Sequence, residues 1–154
     1  MTQLGIHLLG NFHVTDDGQT IKGLDQARMQ ALLAYLLLNQ DAPVSRQQLA
    51  YTFWPESDEK QALNNLRMLF YRLRQTLPDA ETFLSYDRHT LQWRPDADYI
   101  LDVDKFESAL ARAQTAEQDG DRQAMRAELE HAANVLLLEL QREREEKSKL
   151  VSRL

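Results

Sequence analysis

The segment Asp58-Glu59-Lys60-Gln61-Ala62-Leu63-Asn64-Asn65-Leu66-Arg67-Met68-Leu69-Phe70-Tyr71-Arg72-Leu73-Arg74-Gln75-Thr76-Leu77-Pro78 decides how the rest of the chain is read. At about 100° per residue, Leu63, Leu66, Leu69, Phe70, Leu73 and Leu77 fall on one side of an α-helix. The other side carries Lys60, Gln61, Asn64, Arg67, Met68, Tyr71, Arg72 and Gln75, with Asn65 and Arg74 on its flanks. Asp58 caps the start, with Gln61 three residues on, and Pro78 stops the helix after Leu77. One face is suited to burial, while the other offers amides and guanidinium groups. Between Lys60 and Pro78 there are four basic residues and no acidic one.

Working upstream, Ser45-Arg46-Gln47-Gln48 has the Ser-x-x-Gln form of a capping box and opens a short helix reaching Phe53. Trp54-Pro55-Glu56-Ser57 is then the loop between two helices. Met29, Leu32, Leu33, Leu36 and Leu37 make an i, i+3, i+4, i+7, i+8 stripe, which predicts a helix over Asp25 to Asn39 with Asp25 as N-cap. The stretch from Gly5 to Val14 is apolar with partial alternation. Asp17-Gly18 is a tight-turn dipeptide and Thr20-Ile21-Lys22 the return strand, so a small antiparallel sheet is expected at the start.

Downstream, Phe83-Leu84-Ser85-Tyr86 and Thr90-Leu91-Gln92-Trp93-Arg94 flank the polar tip Asp87-Arg88-His89, the pattern of a β-hairpin. Pro95-Asp96-Ala97-Asp98 breaks the composition and divides the chain into 1–95 and 96–154. Beyond it, Val103, Phe106, Leu110 and Ala113 give one helical stripe. Met125, Leu129, Ala132, Ala133 and Leu136 give another, with Asp119-Gly120-Asp121 as the turn of an antiparallel pair. The charged segment from Gln141 to Leu154 either extends the second helix or frays; Glu143–Lys147 and Glu145–Lys149 have the favourable i, i+4 spacing. The expected fold is α+β: a small N-terminal sheet, three helices and a C-terminal hairpin wing, that is, a winged helix-turn-helix, followed by an all-α helical hairpin.

Composition bounds the function. The chain has 154 residues, 43% apolar and 27% charged, which suits one domain, or one small domain with part of a second. The absence of cysteine excludes disulfides, thiol catalysis and cysteine-bound metal. No apolar run approaches the roughly 20 residues of a membrane-spanning helix, and the first residues lack the pattern of a secretion signal, so no membrane partner and a cytoplasmic location are expected. The net charge of −6 argues mildly against nucleic acid, but one clean basic helix on an acidic protein still meets phosphate. His7, His13, His89 and His131 are scattered with no ligand spacing, and five glycines form no phosphate loop. No catalytic residue, metal or cofactor is expected, and Asp16-Asp17 and Asp102/Asp104 read as capping groups.

The major groove of B-DNA admits one α-helix, and there Asn pairs bidentately with adenine and Arg with guanine. Asn64, Asn65, Arg67 and Arg72 supply that chemistry, within a groove-facing set completed by Lys60, Gln61, Met68 and Tyr71. Arg88 and His89 at the wing tip suit a narrow minor groove or phosphates, and Gln47, Gln48, Thr52 and Arg74 suit the DNA backbone. Phe53-Trp54 and Trp93 read as packing, and Tyr71 as structural rather than base-stacking.

Leu8-Leu9-Gly10-Asn11-Phe12, Ala31-Leu32-Leu33-Ala34-Tyr35-Leu36-Leu37-Leu38, Val44-Ser45-Arg46-Gln47-Gln48-Leu49-Ala50, Phe53-Trp54-Pro55-Glu56-Ser57, and Ala62-Leu63-Asn64-Asn65-Leu66-Arg67 with Leu73-Arg74 resemble the bacterial SARP-type transcriptional activators. Leu101-Asp102-Val103-Asp104-Lys105-Phe106-Glu107 resembles the start of the all-helical, TPR-like bacterial transcriptional activator domain (BTAD) that follows in that family. The resemblance implies an OmpR-like DNA-binding fold, binding to direct repeats near promoters, and recruitment of RNA polymerase. Trp54, Glu56, Asp58 and Glu59 are then candidate polymerase contacts. The chain departs from the pattern at its end, where one helix pair and a charged tail stand in place of several pairs. That suits either a truncated activator domain or a short family member. Leu136, Leu137, Leu138 and Leu140 become uncovered apolar surface, which a homodimer would bury. The alternative function is a protein–protein interaction module that does not bind DNA.

Overall fold

The structure, a computed structural model, describes residues 3–153. Two compact units emerge, Met1–Gly18 with Tyr99–Leu154 and, between them in the chain, Gln19–Asp98. The second of these ends at Asp98. The first strands, however, group with the C-terminal helices, whereas 1–95 is the expected extent of the winged helix. The reason is a strand that the sequence reading leaves out.

In the first unit, β1 (Leu4–His7) runs antiparallel to β2 (His13–Asp16), with Leu4 opposite Asp16 and His7 opposite His13. On its other side β1 pairs in parallel with β7 (Tyr99–Leu101), the missed strand, with Ile6 beside Leu101. Parallel pairing needs a long crossover, and here it spans the whole second unit. Asp17 and Gly18 both take positive φ, 49° and 82°, the backbone that a tight two-residue hairpin turn requires. The two-residue β3 (Gln19–Thr20) follows, shorter than the expected return strand Thr20-Ile21-Lys22.

α5 (Asp102–Gln118) and α6 (Arg122–Ser152) form the expected antiparallel pair around Asp119-Gly120-Asp121, with Arg112 Nε 2.9 Å from Glu128 Oε2. Their seam differs from the expected stripe. Ala109, Ala113, Ala116 and Ala132 are buried, whereas Leu110, Leu129 and Leu136 are exposed. Small side chains let the helices approach closely, and the larger leucines are rotated outward. Asp102 is buried, and its carboxylate accepts the backbone N–H groups of Leu8 (3.0 Å), Leu9 (2.9 Å) and Val103 (2.8 Å). It ties the loop after β1 to the start of α5, which is more than helix capping. The charged tail stays helical to Ser152, and Lys147 meets Glu143 at 2.6 Å. Burial holds the His7 imidazole below its ordinary range, opposed by its hydrogen bond to Glu139.

The second unit contains α1 (Ala27–Leu38), β4 (Val44–Ser45), α2 (Arg46–Phe53), α3 (Glu59–Thr76), the one-turn α4 (Ala80–Phe83), β5 (Leu84–Tyr86) and β6 (Thr90–Trp93). Met29, Leu32, Leu33, Leu36 and Leu37 of α1 are all buried, as the stripe predicts. Its N-cap is Gln26, without a side-chain bond, rather than Asp25. The Ser45 hydroxyl accepts from the Gln48 amide at 3.3 Å, and the Asp58 carboxylate from the Gln61 amide at 2.7 Å, so both expected caps form. β4 adds a third strand to the hairpin, pairing antiparallel with β6 so that Val44 lies opposite Leu91. Trp93, Leu91, Leu84 and Phe83 complete the core, with the Phe83 and Trp93 rings stacked at 5.3 Å. The unit is a winged helix-turn-helix: α2 packs on α3, and β5–β6 is the wing.

Candidate nucleic-acid interface

α3 has 18 residues, so it is about 27 Å long at about 1.5 Å per residue. Ala62, Leu66, Leu69, Phe70 and Leu73 are buried, and Leu77 beyond them is buried too. Leu63, expected in this stripe, is only half-buried; Ala62 takes the core position because the face is turned by one residue at its first turn. The remaining surface is the one the sequence predicts. Lys60, Gln61, Asn64, Arg67, Met68, Tyr71, Arg72 and Gln75 are exposed, and Asn65 and Arg74 sit half-buried at its edges. Tyr71 is 57% and Met68 49% exposed, so neither is packed as a core residue.

The amides on this face are already ordered. Arg67 Nη2 donates to Asn64 Oδ1 at 3.0 Å, and Gln61 Nε2 to Asn65 Oδ1 at 2.9 Å. Each pair holds two recognition-type side chains on one helical ridge. Both bonds lie at the solvent surface, so breaking either costs little desolvation.

The wing is anchored to α3 through aromatic rings. Tyr86 of β5 meets Phe70 edge-on at 5.3 Å, and Arg74 lies over the Tyr86 ring at 4.4 Å while reaching Glu81 at 3.2 Å. Arg74 is thereby tied to the wing by a carboxylate and a ring while part of its side chain remains exposed. Arg46 lies over the other side of this cluster, 5.8 Å from Phe70, and burial lowers its pKa from the ordinary arginine value. At the tip, Asp87 Oδ1 accepts from the backbone of His89 (2.8 Å) and Thr90 (2.7 Å) and from the Thr90 hydroxyl (3.0 Å). These bonds hold the Asp87 carboxyl below the usual carboxylate range. They also set the turn, leaving Arg88 and His89 exposed at its apex.

The helix-two residues are exposed but partly committed. Gln47 Nε2 donates to Glu59 Oε1 at 2.7 Å, and the Thr52 hydroxyl to the Gln48 carbonyl at 2.8 Å. Trp54 is buried, 8% exposed, with Arg28 stacked 5.0 Å over its ring, so of the loop set only Glu56, Asp58 and Glu59 present side chains to solvent.

Residues 26–90 match the family model described as "Transcriptional regulatory protein, C terminal". This segment is similar to the domain that the family model describes. It contains α1 to β5 and the start of β6, and the family is one of transcription regulators rather than enzymes. The chain also resembles the solved structure of Mycobacterium tuberculosis EmbR in complex with a low affinity phosphopeptide. The TM-score is 0.74 at 22% identity, over 88% of this chain and 36% of that one. The chain thus spans about a third of the length of the structure it matches. No curated protein sequence matches it. At the level of domain and fold, the two findings bear out the SARP-type resemblance read from the sequence. Among the described residues, no helix is long and apolar enough to cross a membrane.

Proposed function

We propose that the chain is a sequence-specific, double-stranded DNA-binding regulator of transcription that works in the cytoplasm. α3 enters the major groove and the wing lies along the neighbouring backbone. One observation carries this reading: Asn64, Arg67 and Arg72 are exposed opposite a leucine face buried in the domain's own core, with the wing anchored to the same helix through Tyr86 and Phe70. Asn64, Asn65, Arg67 and Arg72 read bases, supported by Lys60, Gln61, Met68 and Tyr71. Gln47, Gln48, Thr52, Arg88 and His89 meet phosphate or the minor groove. Arg74 positions the wing.

Activation at direct repeats, through RNA polymerase contacts from Glu56, Asp58 and Glu59, rests on the SARP-type resemblance. Self-association is supported by the exposed leucines Leu136, Leu137, Leu138 and Leu140 on α6.

Selection from randomised duplexes, followed by affinity measurement across a salt series, tests the reading. The expected result is enrichment of a defined site, with log affinity falling linearly as log salt rises. Failure to bind any duplex at low salt overturns it in favour of the protein-interaction module.

A further inference from the structure

The β1–β2 register and α6 bring together three side chains that are far apart in sequence. His7 and His13 are cross-strand neighbours whose rings stack in parallel at 4.1 Å. Glu139, only 8% exposed, comes from α6 and places Oε1 2.6 Å from His7 Nδ1. One nitrogen or oxygen atom from each of the three lies within 4.8 Å of the others.

Their protonation is tightly constrained. His13 Nδ1 lies 3.1 Å from the Asn11 carbonyl, to which it donates, leaving Nε2 as a lone pair. That Nε2 accepts from Arg142 Nη1, which also lies 3.1 Å from His7 Nδ1 and 3.8 Å from Glu139 Oε1. Two imidazoles and a carboxylate therefore converge on one positive group. His7 Nδ1 is caught between a carboxylate that only accepts and a guanidinium that only donates, so it can satisfy one of them at a time. A cation in the position of Nη1 removes this conflict, because all three groups can then present lone pairs to it.

We propose that His7, His13 and Glu139 bind a divalent transition-metal ion of the zinc class, which displaces Arg142. Two imidazoles and one carboxylate suit zinc, whereas calcium and magnesium take oxygen ligands. The bond from the His13 Nδ1 to a backbone carbonyl is the outer contact that orients a ligating histidine. Ligation needs both rings to rotate out of their stack towards a common point about 2.0–2.1 Å from each nitrogen. Arg142, with 42% of its side chain exposed, has room to swing into solvent. The three protein ligands leave a fourth position for water.

The test titrates the metal-free full chain with zinc against a chromophoric chelator, and follows the histidine ring resonances by NMR. One ion per chain is expected, shifting His7 and His13 but not His89 or His131. His13→Ala and Glu139→Gln should each weaken binding about tenfold or more, on the order that loss of a ligand or its support costs, whereas Arg142→Gln should tighten it. The NMR readout on the unmodified chain keeps the test valid even if a variant folds poorly. Absence of stoichiometric binding, shifts confined to His89 and His131, or equal affinity in the His13 and Glu139 variants overturns the proposal.

Discussion

Asp102 Oδ2 accepts the backbone N–H of Leu9 at 2.9 Å, across 93 residues of sequence. With Oδ1 taking the Leu8 and Val103 amides, this buried carboxylate joins the end of β1 to the start of α5. Asp102→Ala should destabilise the chain by about 2–4 kcal/mol, because two loop N–H groups and the first turn of α5 lose a charged acceptor. Denaturant unfolding monitored by circular dichroism measures the loss. A change below the noise of the transition would mean that water replaces the carboxylate without cost.

Arg67 and Arg88 should separate base reading from backbone contact. Arg67→Ala is expected to cost about 1–3 kcal/mol on a selected site and to relax preference at one position. Arg88→Ala should weaken all duplexes about equally and reduce the salt slope by about one. Fluorescence anisotropy with cognate and scrambled duplexes checks both.

The wing tip carries a pH signature. Asp87 titrates below the usual carboxylate range because it accepts from His89 and Thr90. A depressed folded pKa means that its contribution is present at neutral pH and disappears as pH falls through that folded value. The Asp87 carboxyl carbon should therefore titrate at lower pH than an aspartate in an unfolded peptide. Asp87→Ala should speed hydrogen exchange at the His89 and Thr90 amides at neutral pH and leave that exchange with little pH-specific change in the acidic range.

Leu73 has no exposed surface and sits on the inner face of α3. Leu73→Ala should cost about 2–5 kcal/mol in stability from lost transfer free energy and the cavity left behind. Met68→Ala, on the exposed side of the same helix, should leave the unfolding midpoint within experimental error, and thermal melts of the two variants compare the faces directly.

Leu138 is 65% exposed, and Leu137 and Leu140 beside it are each 52% exposed. If these side chains pair two copies, Leu138→Glu should shift sedimentation equilibrium toward the monomer without changing helix content. Identical monomeric profiles for both proteins at high concentration remove self-association from the proposed function.

Local periodicity carried the winged-helix unit. The stripe in α1, the caps at Ser45 and Asp58, the length of α3, its polar face and the hairpin around Asp87-Arg88-His89 all depend on residues within a few positions of each other, and such interactions are visible along a sequence. Where short-range signals were weak, legibility ended. Val44-Ser45 is too brief to announce a strand. Tyr99-Ile100-Leu101 has strand-forming residues, but only its pairing with β1 gives them a partner. The outward rotation of Leu110 and Leu129 follows from the close approach of alanines on two helices, which neither helix dictates alone.

By itself the sequence determined the order of the helices, the two faces of α3 and the presence of a wing, because each is set by neighbours three to seven residues away. Tertiary structure alone decided that the first strands join the C-terminal helices, that Arg74 is held by Tyr86 and Glu81, and that His7, His13 and Glu139 meet. These are encounters between distant segments, selected by which arrangement buries the apolar faces and satisfies the polar groups together, and no local pattern records that choice.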